Sequence, residues 1–396
     1  MSTLKVTNLQ HPSAAAANVT LDSSGNAAFS GGISGVTSVN GGQLGGDKNI
    51  IQNGNFSISQ RGTSSSLASG AINYTADRWY AYAGATDQLT ATLSQDTDAP
   101  EGFGYSAKIT TGTPETTVDG NEYVSYSHKI EGYNLQSLAY GTAGAKKTVL
   151  SFWVKSSITG TFAINFYQAD GGYLIGSTYT INSASTWEHK QIAIDGNALG
   201  SIANDNTEGL RLSFLIAAGS DYTTTNNTSW STYADSKWAY GHAQNGVITT
   251  AGATWQLTGV QFEISDSGTA TAFQHEDYGT TLQKCLRYFE KLSYVNTEFV
   301  LMGISGGTNN ANGNLLYSEK RAAPTVDLPN AGQSSGTISY LTSTGGYPSA
   351  TGDHSIQVAT TNQCRIYGFS YTGLTSGGPS YLFSTGSTSI SIDAEL

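Results

Sequence analysis

The sequence predicts an all-β protein, and three observations carry that reading. Charged residues make up 12% of the chain, about half the usual share of about 25%, so the Ala-Leu-Glu-Lys stretches that build helices are scarce. Glycine (47 residues) and tyrosine (23) are abundant beside Ser, Thr and Asn, which suits strands joined by tight turns. Short runs of alternating apolar and polar residues recur along most of the length. With 7 prolines and 38% hydrophobic residues, most of the 396 residues are expected to fold. The length leaves room for two or three domains.

Residues 1–48 read as an extended arm. Leu4 and Val6 alternate with polar neighbours, as do Val19 and Leu21 beside a DSSGN turn at 22–26, and Leu9 and Phe29 are further apolar positions. Ala14 to Ala17 is too short to stand as a helix, and the glycine-rich run 31–46 is linker-like. So few large apolar side chains cannot offset the entropy of ordering. The segment is therefore a flexible tail, or an arm that other chains hold in place through Leu4, Val6, Leu9, Val19, Leu21 and Phe29.

A first β-domain is expected over residues 49–292. A strand opens it at 49–56 (NIIQNGNF), followed by the words QRGT at 60–63 and DRW at 77–79, where Asp77 and Arg78 are expected to form a buried ion pair. Apolar strands follow at 149–155 (VLSFWVK), at Phe162, Ile164 and Phe166, and at Ile192 and Ile194 after Trp187. Leu210, Leu212, Phe214 and Ile216 line one face of a further strand, with Arg211, Ser213 and Leu215 on the other. A long polar loop, 219–252, then carries Tyr222, Trp230, Tyr233, Trp238, Tyr240 and His242. Rings set among Asn, Ser and Thr suit sugar recognition, since a flat ring stacks on the apolar face of a pyranose and short polar groups meet its hydroxyls. They equally suit anchoring of a long loop. Trp230, Tyr233, Trp238 and Tyr240 are the candidate glycan contacts here, with Tyr347 from the last domain.

The closing strand changes phase. Trp255 and Leu257 share one face and Val260, Phe262 and Ile264 the other, a slip that a β-bulge at Gly259 would produce. After a turn at 265–268, Thr280-x-x-Gln283 fits a capping box. Leu282, Leu286 and Phe289 fall on one helical face. Residues 293–396 read as a second, small β-sandwich domain of short strands between Gly/Ser/Asn turns, with Tyr340, Tyr347, Tyr371 and Tyr381 near its tips.

Little in the chain looks like chemistry. Gly303-Ile304-Ser305-Gly306-Gly307 fits G-x-S-x-G, but no helix follows the serine, as a nucleophile elbow requires. No histidine stands in a metal-binding spacing, no P-loop is present, and Glu122, Glu131, Asp170 and Glu263 do not pick themselves out as a glycosidase pair. No catalytic residue, cofactor or metal is expected. A net charge of −11 disfavours nucleic acid and anionic membrane as partners. No window approaches 18 apolar residues, and the start, MSTLK, lacks the apolar core of a secretory signal. Cys285 and Cys364 have no redox or metal spacing and read as buried thiols.

Several words resemble one family. The strand GVQFE at 259–263, the turn ATAF at 270–273 and the helix end CLRYF at 285–289 resemble the closing segment of a β-sandwich found in tail fibres and other appendage proteins of tailed bacteriophages. That family more often has proline where Ala272 stands. Residues 49–56 resemble the opening strand of carbohydrate-binding-module-like jelly rolls. Asn55 replaces an acidic residue that in many of them helps bind calcium, so a metal is not expected. QRGT, DRW, LSFWVKSS, RAAPT at 321–325 and the ending DAEL extend the resemblance over residues 49–396. It implies an extended N-terminal arm, a jelly-roll-like β-sandwich closed by one short helix, and a second sandwich. It also implies a virion protein, assembled in the host cytoplasm and released by lysis, whose partners are sister subunits in a homotrimer, other virion proteins through the arm, and a host surface glycan. The alternatives are a capsid- or tail-decorating protein without a receptor role, and a carbohydrate-binding module of a polysaccharide hydrolase.

Overall fold

A computed structural model describes residues 48–295, 298–328, 338–342, 353–369, 374–384 and 388–396, and before them 8–9, 19–21, 23, 27–29, 38–39 and 42–43. The chain is all-β. Near the N-terminus, β1 (Asn8–Leu9), β2 (Val19–Leu21) and β3 (Ala27–Phe29) form a small antiparallel sheet in which Leu9 pairs with Val19 and Val19 with Phe29. A hairpin of β4 (Ser38–Val39) and β5 (Gly42–Gln43) follows. Leu4 and Val6 lie outside the described residues.

Two antiparallel sheets make the larger sandwich. One contains β6 (Ser64–Leu67), β9 (Ala91–Asp96), β10 (Ser106–Thr111), β12 (Thr148–Ser156), β15 (Glu188–Ile194) and β18 (Thr254–Ile264), in the order β15–β12–β18–β10–β9–β6. The other contains β7 (Ile72–Tyr74), β8 (Trp79–Gly84), β11 (Tyr123–Glu131), β13 (Gly160–Gln168), β14 (Tyr173–Ile181), β16 (Glu208–Ala218) and β17 (Ser231–Thr232), in the order β17–β14–β13–β16–β11–β8–β7. Their inner faces share one core. Trp79 stacks on Tyr126 with centroids 5.5 Å apart, Phe166 stacks on Phe262 across the sheets at 4.6 Å, and the buried Trp255 indole donates to the Tyr179 hydroxyl at 3.1 Å. Burying each such side chain contributes about 1.5–3 kcal/mol.

The phase change in β18 is a bulge. Ser151 pairs with Gln261 and Trp153 with Thr258, so β18 carries one extra residue there, with Gly259 at φ +61°. The bulge lets Trp255, Leu257, Val260 and Phe262 all reach the same core. Beside it the NIIQNGNF word is not a strand but a plug. Asn49 donates to the Val260 carbonyl at 3.0 Å and accepts from the Phe262 amide at 3.0 Å, groups on the stretch of β18 past Leu257, where its pairing with β10 ends. Val260 N–H in turn donates to the Gly54 carbonyl at 2.9 Å. A Cβ on Gly54 would stand 2.1 Å from the Val260 oxygen, so only glycine fits. The expected opening strand yields to these contacts because Asn53 and Phe56 adopt positive φ.

Among the described residues the helix α3 (Tyr278–Leu286) is the longest of three short α-helices; α1 (Ser220–Thr223) and α2 (Gly246–Thr249) lie within the long loop. Its cap is Asp277, whose carboxylate accepts from Gly279 N (2.9 Å) and Thr280 N (3.2 Å), not Thr280 as the capping-box reading had it. It buries Thr281 and Cys285 rather than Leu282 and Leu286, and Phe289 has left the helix for a strand. The preceding turn is tied back to β18: buried Glu263 accepts from Thr271 N at 2.7 Å, and Gln261 accepts from Gln274 N at 2.7 Å.

The smaller sandwich sets a three-stranded sheet of β19 (Phe289–Tyr294), β22 (Thr325–Asp327) and β27 (Thr388–Asp393) against a six-stranded one. The latter contains β20 (Phe299–Ser305), β21 (Asn310–Leu316), β23 (Ile338–Thr342), β24 (Asp353–Ala359), β25 (Gln363–Phe369) and β26 (Pro379–Ser384). Leu301, Ile366, Leu382, Ile390 and Ile392 form their shared core. Strand β19 crosses the boundary expected at 292/293.

Where the sandwiches meet, the Asp77–Arg78 expectation is corrected. Both residues are buried, but not as a pair. Asp77 accepts from Gln60 N at 2.9 Å, whereas Arg78 pairs with Glu395, donates to the Lys129 carbonyl at 2.6 Å and lies 3.3 Å over the Tyr288 ring centre. Arg61 bonds Asp393 at 2.9 Å, Arg321 donates to the Ala394 carbonyl at 2.7 Å, and Arg287 clamps Glu131 through two bonds of 2.9 and 2.8 Å. Burial separates neighbours in sequence here because each charge needs its own partner from another segment.

Candidate functional site

The outer face of the seven-stranded sheet carries the long loop. Residues 219–252 are not featureless: they contain α1, β17, a 3-10 turn at Asp235–Lys237 and α2. The sheet holds the loop by buried polar contacts. Ala163 N–H donates to His242 Nδ1 at 3.2 Å, Asn165 donates to the Trp238 carbonyl at 2.6 Å, and Ala218 N–H donates to Asn245 at 2.9 Å. Trp238 and Ala239 then pack on Ala163, Leu174, Leu215 and Ala218. This second, outer core explains why Ser213 and Leu215 are fully buried on the face that strand periodicity turns away from the main core.

Beside this seal the loop and sheet leave a cleft of about 370 Å³, lined by Tyr123, Tyr167, Arg211, Tyr222, Tyr233, Asp235 and Trp238. Its aromatic wall is continuous. Tyr233 meets Trp238 edge-on with centroids 5.9 Å apart, Tyr167 meets Tyr233 at 5.4 Å, and Tyr123 meets Tyr222 at 4.9 Å. Edge-to-face contact holds each ring against its neighbour.

The polar groups of the cleft are an arginine, a carboxylate and the phenol hydroxyls. Arg211 holds Glu208 through Nε and Nη2 (2.8 and 3.0 Å) and lies 5.6 Å from the Tyr167 ring centre. The Tyr233 hydroxyl donates to the exposed Asp235 carboxylate. Burial, then that hydrogen bond, pushes the Tyr233 phenol above its ordinary value, and burial does the same for Tyr123. Both hydroxyls therefore stay protonated, and the Tyr233 proton is taken up in its hydrogen bond to Asp235. The indole N–H of Trp238, 7% exposed, finds no acceptor among the described residues. An unmet buried donor costs about 1–3 kcal/mol.

The structure brings together two of the five candidate contacts, Tyr233 and Trp238. Trp230 lies apart, edge-on to Tyr140 at 5.7 Å with its N–H on the Asp195 carbonyl at 2.6 Å, so it is an anchor. Tyr240 is half-buried and does not line the cleft. Tyr347 lies outside the described residues. The sequence reading missed Tyr123, Tyr167 and Arg211, which are strand residues. Their signal was the outward-facing position of β11, β13 and β16, legible only once the loop is known to cover part of that face.

The remaining motifs have structural settings. Ser305 ends β20, is buried, and leads through a hairpin into β21, so G-x-S-x-G forms no strand–helix elbow. Glu131 and Glu263 are engaged as above, and Asp170 accepts from Ala203 N at 2.9 Å. Asp87, Asp119 and Glu122 bring one oxygen each within 4.8 Å of one another, a grouping that spacing along the chain could not foretell. Two of the three are exposed, and Glu122 already accepts from Asp119 N at 2.9 Å.

No protein-family model matches the chain, and no curated protein matches it. Among solved structures, the enzymatically active domain of tailspike protein 4 of bacteriophage CBA120 is similar over 55% of this chain, at 12% identity and a TM-score of 0.29. This chain covers 21% of that one. A family 11 carbohydrate-binding module from Clostridium thermocellum, in complex with a mixed-linked tetrasaccharide, is similar over 54% of this chain and 99% of its own (12% identity, TM-score 0.26). A xylan-binding domain from Paenibacillus barcinonensis is similar over 58% and 98% (11% identity, TM-score 0.26).

Proposed function

We propose that this chain is a virion protein of a tailed bacteriophage, a fibre-like appendage subunit that adheres to a glycan of the host surface through the cleft on its larger sandwich. The observation that carries glycan binding is the cleft itself: a wall of Tyr and Trp rings with Arg211 and Asp235 among them. Rings offer apolar faces for a pyranose, and the donors meet hydroxyl or ring oxygens. No covalent step is needed. Individually weak contacts gain strength when several chains are presented together, in a homotrimer if the resemblance to tail fibres holds. Those sequence words also support the virion location and attachment through residues 1–48.

Two measurements test the reading. Wild type on a glycan array should bind a defined set of oligosaccharides, and Tyr233→Ala should lose them at least tenfold. A silent array would leave the decorating role without a receptor. Deleting residues 1–48 should release the protein from particles; retention would sink the attachment role.

A further inference from the structure

The smaller sandwich carries a groove of about 430 Å³ on the outer face of its six-stranded sheet. It is lined by Asn312 and Asn314 of β21, Val358 of β24, Thr360 just after it, and Gln363 and Arg365 of β25. Strand alternation builds it. Ala311 and Leu315, like Cys364 and Ile366, turn into the core, so the residues between them turn out. The register sets Asn314 opposite Arg365 and Leu316 opposite Gln363. On the other side of Arg365, β24 slips register between Ile356 and Val358. Such a bulge bends its strand and re-aims the side chains beside it. The volume falls within the about 300–1,000 Å³ of ligand pockets.

What sets this groove apart is that its polar side chains are uncommitted. Arg365 is exposed and has no hydrogen-bond or ion-pair partner among the described residues. The other five arginines are all engaged: Arg61, Arg78, Arg211 and Arg287 by carboxylates, and Arg321 by backbone carbonyls. The side-chain amides of Asn312, Asn314 and Gln363 also make no hydrogen bond among the described residues. The lining holds no carboxylate and no aromatic ring. One uncommitted arginine would be ordinary surface. One flanked by three uncommitted amides in a concave setting has the makings of a recognition site.

We propose that this groove binds a saccharide bearing a carboxylate, such as a uronic or sialic acid. The guanidinium fork matches a planar carboxylate through two parallel hydrogen bonds. The three amides each donate and accept, which suits the hydroxyls around such a group. Val358, 57% exposed, offers an apolar surface to ring C–H groups. A phosphate or sulfate would also meet the guanidinium, but a bare anion would leave the amides unused. The aromatic cleft is built differently, because its arginine is already held by Glu208 and its walls are rings. That the ligand is a saccharide rests on the glycan reading. The groove shares no residue with the cleft, so either site can fail alone.

The test is calorimetric titration of the full chain with glucuronate, galacturonate and sialyl oligosaccharides. Each is paired with its carboxyl-reduced counterpart, identical except that a hydroxymethyl group replaces the carboxylate. Wild type should bind at least one acidic form about tenfold or more tighter than its reduced counterpart. Arg365→Gln and Asn314→Asp, both at exposed positions, should keep the thermal unfolding of wild type and abolish that preference. Tyr233→Ala should leave the preference intact, whatever it does to neutral sugars. Inorganic phosphate at matched ionic strength should not displace the saccharide. The inference is overturned by a wild type without the preference, or by a preference that survives in either folded groove variant. It is equally overturned if Tyr233→Ala removes the preference or phosphate displaces the saccharide.

Discussion

Two regions combine arginine, carboxylates and aromatic rings, the junction between the sandwiches and the cleft on the outer sheet, and they treat those groups in opposite ways. At the junction Arg78 is fully buried and its donors are taken by Glu395, the Lys129 carbonyl and, at 3.0 Å, Gln52, with Tyr288 across its face. In the cleft Arg211 is partly exposed, Asp235 faces solvent, and the Trp238 N–H has no acceptor among the described residues. A buried network whose charges are paired fixes one arrangement; a partly exposed one leaves room for a partner. The junction also gathers the most recognisable sequence words. Arg61, Arg78, Arg287 and Arg321, four of the six arginines, come from QRGT, DRW, CLRYF and RAAPT; Arg61, Arg78 and Arg321 meet the DAEL end, and Arg287 holds Glu131 beside it. Words that look like signatures of a role are here the parts of a joint.

Breaking the joint should cost the most. Arg78→Ala leaves the Glu395 carboxylate buried beside Arg61 alone, which reaches it at 3.4 Å. Stripping one partner from a buried ion pair costs about 3–5 kcal/mol. Urea unfolding should show that loss, while glycan affinity of the folded fraction stays at the wild-type value. A loss under about 1 kcal/mol would mean that the junction is no tighter than the cleft.

Acid should strain the loop that builds the cleft. Burial lowers the His242 pKa to about 4, and its Nδ1 must stay unprotonated to accept from Ala163 N–H. The folded state thus keeps His242 neutral, whereas the unfolded chain takes a proton below about 6.5. Stability from this group is fully present above pH 6.5 and is lost as the pH falls towards 4, by about 3 kcal/mol. Urea midpoints measured from pH 7.5 to 4.5 should fall accordingly, and H242Q should flatten that slope. His128, edge-on to Trp79 near the junction and also held neutral by burial, adds an acid sensitivity that H242Q leaves untouched.

The helix cap should matter less. Asp277→Ala removes the carboxylate that accepts from Gly279 and Thr280 at the start of α3, the helix that leads to Tyr288 and Arg287. The expected cost is about 1 kcal/mol in thermal or urea unfolding. No change would show that the junction positions Tyr288 without help from its helix.

The same contrast explains what could be read from the sequence. Strand periodicity and the Gly259 slip are local, so the all-β class, the bulge and the apolar runs at 149–155 and 210–216 were legible. The role of NIIQNGNF was not, because Asn49 serves a strand more than 200 residues away. Partners were the hardest to read: Asp77 and Arg78 are adjacent, yet each bonds a different segment. The cleft was half legible. Tyr233 and Trp238 stood out as aromatics in a polar loop, whereas Tyr123, Tyr167 and Arg211 looked like ordinary strand residues until the loop was placed over their sheet.

The smallest change in stability should accompany the largest change in binding. Tyr233 is 39% exposed and rests edge-on against Trp238 and Tyr167. Tyr233→Phe keeps the ring and removes the hydroxyl that donates to Asp235; being exposed, it should shift unfolding by no more than about 0.5 kcal/mol. Tyr233→Ala removes the stacking surface as well. If the cleft recognises a sugar, the Phe variant should retain most of the stacking and lose only what the hydroxyl adds, whereas the Ala variant should lose about 1.4 kcal/mol of binding or more, roughly tenfold or more. Calorimetric titration with an oligosaccharide found on the array reads both. Equal affinities for all three proteins, at unchanged stability, would show that the aromatic wall merely pins the loop, and the cleft would then resemble the junction after all.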